Sequence, residues 1–166
     1  MLTILLSMLA SSLSWTTSFR AASRVHDVLC RATRGDERWA RRVPAEEPLV
    51  EGSVIAATPG SFDHYFLESL VLILEHSDEA GTVGVLLNHQ TPWTVADMTE
   101  ALGELGENIL FLGGDAGRDT MVMLHDLPLL KGARQLGQTN LCLGGVSEAI
   151  DLVGSGQLRA NKFKFL

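Results

Sequence analysis

Two apolar runs, residues 70–76 (LVLILEH) and 83–88 (VGVLLN), are separated by only six residues, SDEAGT, and no other feature constrains this chain's fold so tightly. Each run is apolar almost without alternation, the pattern of a strand covered on both faces; a half-exposed strand alternates with period two. The short polar connection makes them an antiparallel hairpin with residues 77–82 as its loop. That loop sets His76 opposite Val83 and Asn88 near Val71. The rest of the chain must then supply apolar surface to both sides of the hairpin.

The remaining periodicities supply it. Residues 53–57 (SVIAA) read as a strand ended by Pro59 and Gly60, and residues 63–68 as one helical turn started by Asp63. Thr94 followed by Asp97 has the form of an N-cap with an acid in the first turn, and Val95, Met98, Ala101, Leu102 and Leu105 share one face of the helix that follows. Residues 109–112 (ILFL) and 121–124 (MVML) are strand-like around the loop GGDAGRDT, and 141–143 (LCL) is another short strand. Ser147 caps a second helix, SEAIDLV, and the closing KFKFL is a last strand. The predicted order is β, β, β, α, β, β, β, α, β. Strands that run consecutively, without alternating with helices, give an α+β fold and exclude a doubly wound nucleotide fold.

At 166 residues with 46% hydrophobic and 20% charged composition, the chain holds one core and an appendage. Charge marks the join. Residues 1–48 carry seven arginines (20, 24, 31, 34, 38, 41 and 42) against five acids, a net of +2, and residues 49–166 carry six basic and fifteen acidic residues, a net of −9. An acidic domain of this kind argues against nucleic-acid binding, which draws its affinity from clustered Lys and Arg.

The appendage has two parts. Residues 2–15 (LTILLSMLASSLSW) have the length and apolarity of a signal peptide and are too short and serine-interrupted for a permanent span, so the mature form is expected to have none. Thr16 and Ser18 suit cleavage after Ser18, which gives a signal segment 1–18. Residues 19–48 then begin FRAASRVHDVLCRATR, lysine-free and arginine-rich, and end in a linker at Pro44, Glu46, Glu47 and Pro48. This resembles the bipartite presequence of algae with secondary plastids, and the expected address is the plastid (chloroplast) stroma after cleavage; secretion and mitochondrial import are the alternatives, and a surface helix over 19–45 the structural one. Cysteine usage fits a reducing compartment, because Cys30 lies in the presequence and Cys142 alone remains in the 49–166 domain, where LCL makes it a small buried hydrophobe.

The block GSVIAATP at 52–59, then Asp63 with Phe66, Ser69, the run VLILEH, Gly84 with LLN, the glycine pair 113–114 and Leu124–His125 follow one another in an order that resembles the AlgH/YqgE family of uncharacterised proteins, over about residues 50–166. The resemblance implies a mixed, largely antiparallel split sheet wrapped into a pseudo-barrel with flanking helices. It also implies bacterial members and plastid-targeted members of photosynthetic eukaryotes, one bacterial member being named as a regulator of alginate production. It carries over no catalytic residue. Members usually continue into a G-Y-x-G-W segment, whereas this sequence stops at Leu166, which on this resemblance leaves an edge uncovered.

Chemistry-bearing residues are few. His64, His76, His89 and His125 could build a metal site as a cluster. In the hairpin register above, however, His76 and Asn88 lie five positions, roughly 17 Å, apart along the strands, so His76 and His89 share no ion. His76 with His125 stays open, although strand-end hydrogen bonding is the reading we adopt, with no metal and no cofactor. Glu75 beside His76 and Asp126 beside His125 are no dyads, since strand neighbours point to opposite faces. Gly113 and Gly114 follow a strand, and Gly144 and Gly145 with Ser147 lead into a helix N-terminus that could take a phosphorylated metabolite. Neither loop has a nucleotide-binding spacing, so turn glycines are the plainer reading. Asn88 caps the turn before Pro92 or binds a ligand through its amide. Trp93 and Phe111, Phe163 and Phe165 are too dispersed for a base-stacking platform.

The candidate ligand-facing residues are therefore His76, Asn88, Gly113, Gly114, His125, Gly144, Gly145 and Ser147. The expected role is a non-enzymatic regulatory or binding protein acting through an unidentified protein partner or small ligand. The alternative is a small-molecule hydrolase or transferase using His76 or His125, with a transcriptional regulator third.

Overall fold

The computed structural model describes residues 49–57, 66–114 and 120–166. The expectations for the presequence, the turn begun at Asp63, His64 and the loop past Gly114 fall wholly or partly outside those residues. Within them the fold is α+β. Strands β1 (Val54–Ala56), β2 (Leu70–Ser77) and β3 (Gly81–Leu86) form an antiparallel sheet in that order. The second sheet contains β4 (Gln90–Thr94), β5 (Ile109–Phe111), β6 (Met123–His125), β7 (Ala133–Gln135), β8 (Cys142–Gly144) and β9 (Lys164–Phe165), in the order β4-β5-β9-β6-β8-β7. It is antiparallel except where β5 meets β9. The α-helix α1 (Val146–Gly154) follows β8.

The hairpin is tighter than its sequence suggests. Ser77 pairs with Gly81, so the loop is residues 78–80, and His76 pairs with Thr82 instead of Val83. Gly81 makes this possible: its φ of 85° is the left-handed conformation a three-residue hairpin loop requires. A bulge at Leu74, between the pairs Ile73 with Gly84 and Glu75 with Val83, shifts the inner register again and sets Val71 against Leu86, not near Asn88. Double-sided burial holds for residues 70–74 and stops at Glu75, beyond which the hairpin reaches into solvent.

Alternation within the buried half feeds two clusters. Leu70, Leu72, Leu74, Val85 and Leu87 pack with Val54, Leu124, Leu136, Leu141 and Leu166, while Val71, Ile73 and Leu86 pack on Leu49, Ile55, Phe66 and Leu112. Each fully buried leucine or isoleucine contributes about 2 kcal/mol. A third cluster joins α1, through Ala149 and Val153, to Val95, Leu105, Met123, Phe163 and Phe165.

The expected helix over 94–105 is instead two 3-10 turns, Val95–Asp97 and Gly103–Glu107. The cap is as predicted: the Thr94 N–H donates to Asp97 Oδ2 at 2.7 Å and the Thr94 hydroxyl at 2.9 Å. Glycine then interrupts the helix, because Gly103 takes a φ of 54° and Gly106 lies so close to Ala96 that a Cβ would stand 3.1 Å from the Ala96 Cβ. Val95 and Leu105 keep their buried places, and Met98 is left exposed. Ser147 is not the cap of α1 either; Gly145, left-handed at φ 72°, holds that position and Ser147 lies inside the helix. The strands β4 and β7 have no counterpart in the sequence reading.

Candidate functional site

The predicted site residues lie in separate parts of the fold. Asn88 lies two residues past the end of β3, where its side chain spans the start of β2: Oδ1 accepts from the Leu70 N–H at 2.8 Å, and Nδ2 donates to the Glu68 carbonyl at 2.9 Å. It clamps a backbone and does not cap the turn before Pro92. Glu68, inside the clamp, has a left-handed φ of 52°, which costs about 1 kcal/mol in a non-glycine residue. Gly113 is buried, and its carbonyl accepts from the Leu86 N–H at 2.9 Å, which ties this segment to the end of β3; beside it the Leu112 N–H donates to the His89 carbonyl at 2.7 Å, continuing the pairing of β5 with β4. Gly114 takes a φ of 150° beyond it.

His125 is fully buried and has no nitrogen to spare. Its Nε2 donates to the Gly144 carbonyl at 3.1 Å and its Nδ1 accepts from the Leu127 N–H at 3.2 Å, while the ring meets Phe163 edge-on at 5.6 Å. These partners fix the neutral Nε2–H tautomer. Burial pushes its pKa below the ordinary imidazole value, and the Gly144 bond and the Asp126 charge pull weakly the other way. Gly144 is thus an acceptor for a core histidine. A Cβ on Gly145 would meet Leu130 at 2.7 Å, so close packing accounts for that glycine. His76 stands exposed on the hairpin, its Nδ1 bonded to the Thr82 hydroxyl at 2.8 Å. A buried His125 and an exposed His76 form no common centre, and among the described residues no three His, Cys, Asp or Glu side chains gather to hold a metal ion. Cys142 is buried, and desolvation raises its thiol pKa, so it is a packing residue with little thiolate.

Three features escaped the sequence reading. The first is a Ser–His pair: Ser69 Oγ, fully buried, lies 2.7 Å from His89 Nε2, and burial lowers the His89 pKa. The hairpin's true register brings them together, because extending it from Val71 opposite Leu86 places residue 69 across from 88. The second is Lys164, buried in β9 with its Nζ 3.3 Å from the centroid of the Phe111 ring.

The third is the surface at β4. This strand ends the larger sheet, and it bulges: between its pairs Gln90 with Phe111 and Thr94 with Ile109 it advances four residues while β5 advances two. The Thr91 hydroxyl covers the gap by donating to the Leu110 carbonyl at 2.7 Å. Such a bulge turns a side chain out of the pleat, and here it presents Trp93, 56% exposed. Met98, 64% exposed, lies just past the turn, and Ile109, 43% exposed, lies on the paired strand. In the sequence a bulged strand carrying a proline is legible only as a break, and Trp93 only as a dispersed aromatic.

Comparison with known proteins agrees with the family resemblance. The chain is 38% identical over 85 residues to a UPF0301 protein of Streptomyces avermitilis, covering 50% of this chain and 44% of that one. It is 31% identical over 120 residues to a UPF0301 protein of Cytophaga hutchinsonii, covering 70% and 64%. It therefore spans less than half the length of the first of these relatives and under two thirds of the second. Among solved structures, the solution structure of the AlgH protein from Pseudomonas aeruginosa aligns at a TM-score of 0.48 and 17% identity, over 75% of this chain and 80% of that one. The AlgH-like family profile matches residues 54–166, from the first residue of β1 to Leu166, so the chain belongs to the AlgH-like family of uncharacterised proteins.

Proposed function

We propose that the domain is a regulatory or binding protein that works through a protein partner held at the β4 surface, without turnover of its own. The observation that carries this is Trp93, an aromatic side chain displayed by a bulge, with Met98 past the following turn and Ile109 on the paired strand exposed as well. Tryptophan is among the residues most often found at the energetic centre of protein contacts. The histidines on which an enzyme was expected to rest point the other way, His125 being saturated by backbone partners and His76 standing alone on its hairpin. A photo-crosslinking residue at position 93, expressed in the native cell, is expected to trap a discrete protein partner, and one at the exposed Leu129 is not. Equal trapping at both positions would sink the proposal, as would metabolite turnover by the purified chain.

A hydrolase or transferase is the second reading, favoured by one observation, the 2.7 Å contact between Ser69 and His89. Labelling of Ser69 by a fluorophosphonate, lost in His89→Ala, would establish it.

Two structural readings belong to the same proposal. The wrapping of the sheets into a pseudo-barrel is one of them, supported by the bond from the Leu86 N–H of β3 to the Gly113 carbonyl past β5 and, on the far side, by Arg134 of β7, which reaches Glu51 at 3.2 Å and the Leu74 carbonyl at 3.3 Å. The domain works in the plastid stroma after loss of residues 1–48, a reading supported by the arginine-rich, lysine-free composition of 19–48 and the single cysteine that follows. A mature N-terminus near Met1 would refute it.

A further inference from the structure

We infer that the β4 surface takes a cationic, apolar-bearing segment of another protein, with an Arg or Lys side chain laid against Trp93. The inference rests on the docking reading above and assigns the partner's chemistry. Residues 88–114 contain no Lys or Arg and four carboxylates, Asp97, Glu100, Glu104 and Glu107, all exposed. The fold brings three of these acids toward the apolar residues, Glu104 sharing a face of the 3-10 turn Gly103–Glu107 with Glu107. The Thr94–Asp97 cap fixes Asp97 one turn from Trp93. The bond from the Val95 N–H to the Asn108 carbonyl and the contact of Gly106 with Ala96 bring Glu107 to the same place, next to Ile109. An apolar centre with a charged rim of one sign selects a partner of the opposite sign. The indole face of Trp93 adds a cation–π site for the same groups.

Two other occupants fit worse. A second copy would bring another domain of net charge −9 against this rim. Pairing through backbone hydrogen bonds is blocked as well, for Pro92 lacks an N–H and the bulge breaks the strand's repeat. The contact is therefore made by side chains, and Asp97, whose pKa its Thr94 hydrogen bonds lower, stays ionised throughout the neutral range.

The test uses the full chain and two short dye-labelled synthetic peptides of equal length, one alternating Arg with Leu and one alternating Glu with Leu, followed by fluorescence anisotropy. The Arg peptide is expected to bind, the Glu peptide to bind at least about tenfold more weakly, and the Arg affinity to fall as salt is raised. Glu104→Lys with Glu107→Lys should weaken the Arg peptide by about tenfold or more, and Trp93→Ala should remove binding. Asp78→Lys with Glu79→Lys, in the hairpin loop of the other sheet, should leave it unchanged; an equal loss there would reduce the attraction to net charge and overturn the inference. If both peptides bind alike, independently of salt, and both are lost in Trp93→Ala, the cationic partner is refuted while docking at β4 stands. Binding of neither peptide, binding that survives Trp93→Ala, or an oligomer that Trp93→Ala dissolves, would overturn the inference too.

Discussion

The Asn88 clamp and the β4 surface treat their side chains in opposite ways. At the clamp, as elsewhere in the scaffold, polar groups are spent on backbone: Asn88 on Glu68 and Leu70, His125 on Gly144 and Leu127, Thr139 on Leu136 and Leu141. Among the described residues no buried side-chain nitrogen or oxygen lacks a partner. At β4, by contrast, apolar groups stand at the surface, where Trp93, Met98 and Ile109 are only partly covered. In this fold the residues that look chemical hold the chain together. Those that look structural are the ones left at the surface.

The sharpest way to break that contrast is Asn88→Ala. It strips a donor from the Glu68 carbonyl and an acceptor from the Leu70 N–H in one step, and an unsatisfied group of this kind costs on the order of 1–3 kcal/mol. The left-handed Glu68 loses its restraint as well. Urea unfolding should show a loss of about 3 kcal/mol, summed over the two groups. A change below about 0.5 kcal/mol, the range of ordinary surface substitutions, would mean that Asn88 is free for a ligand after all.

A smaller effect comes from acid. Burial lowers the pKa of both His89 and His125 from 6.5, so each imidazole takes its proton more readily in the unfolded chain. Their contribution to stability is complete above 6.5 and is lost as the pH falls from there through the lowered folded-state values. The slope is at most about 1.4 kcal/mol per pH unit for each group. Unfolding free energies measured from pH 8 to 5 should therefore decline below 6.5, and His125→Gln should flatten the decline. A flat profile in the native protein would show that these rings are wetter than their partners imply.

How much of this was legible depended on whether a residue's neighbours in sequence were also its neighbours in space. The α+β class and the core of residues 70–74 and 85–87 followed from apolar runs, because burial on two faces leaves no other pattern. The register did not follow, since the left-handed Gly81 and the bulge at Leu74 each moved it by a residue. That shift hid the Ser69–His89 contact and gave Asn88 the wrong neighbour. The helix predicted over 94–105 had the right buried residues at Val95 and Leu105, yet Gly103 and Gly106 let two short turns bury them equally well. Strand β7, ARQ, has no apolar residue larger than alanine and is held by pairing with β8. In the sequence His125 is a ligand-facing candidate, and only the fold shows both its nitrogens occupied, Nε2 by the carbonyl of the distant Gly144 and Nδ1 by the nearby Leu127 N–H.

Trp93→Ala should change stability least. The side chain is 56% exposed and stands on a bulge, and the Thr91 hydroxyl already satisfies the Leu110 carbonyl without it. Truncation therefore leaves no cavity and strands no polar group, so the unfolding free energy should move by no more than about 0.5 kcal/mol. Partner crosslinking at the β4 surface, read from the neighbouring exposed position 98, should nonetheless disappear. A variant that unfolds as readily as Asn88→Ala would make Trp93 a scaffold residue and erase the distinction between the two regions. If stability and crosslinking both survive, the tryptophan is surplus to the contact and Met98 or Ile109 must anchor it instead. Only retained stability with lost binding keeps the two regions separate, one devoted to holding the fold and the other to using it.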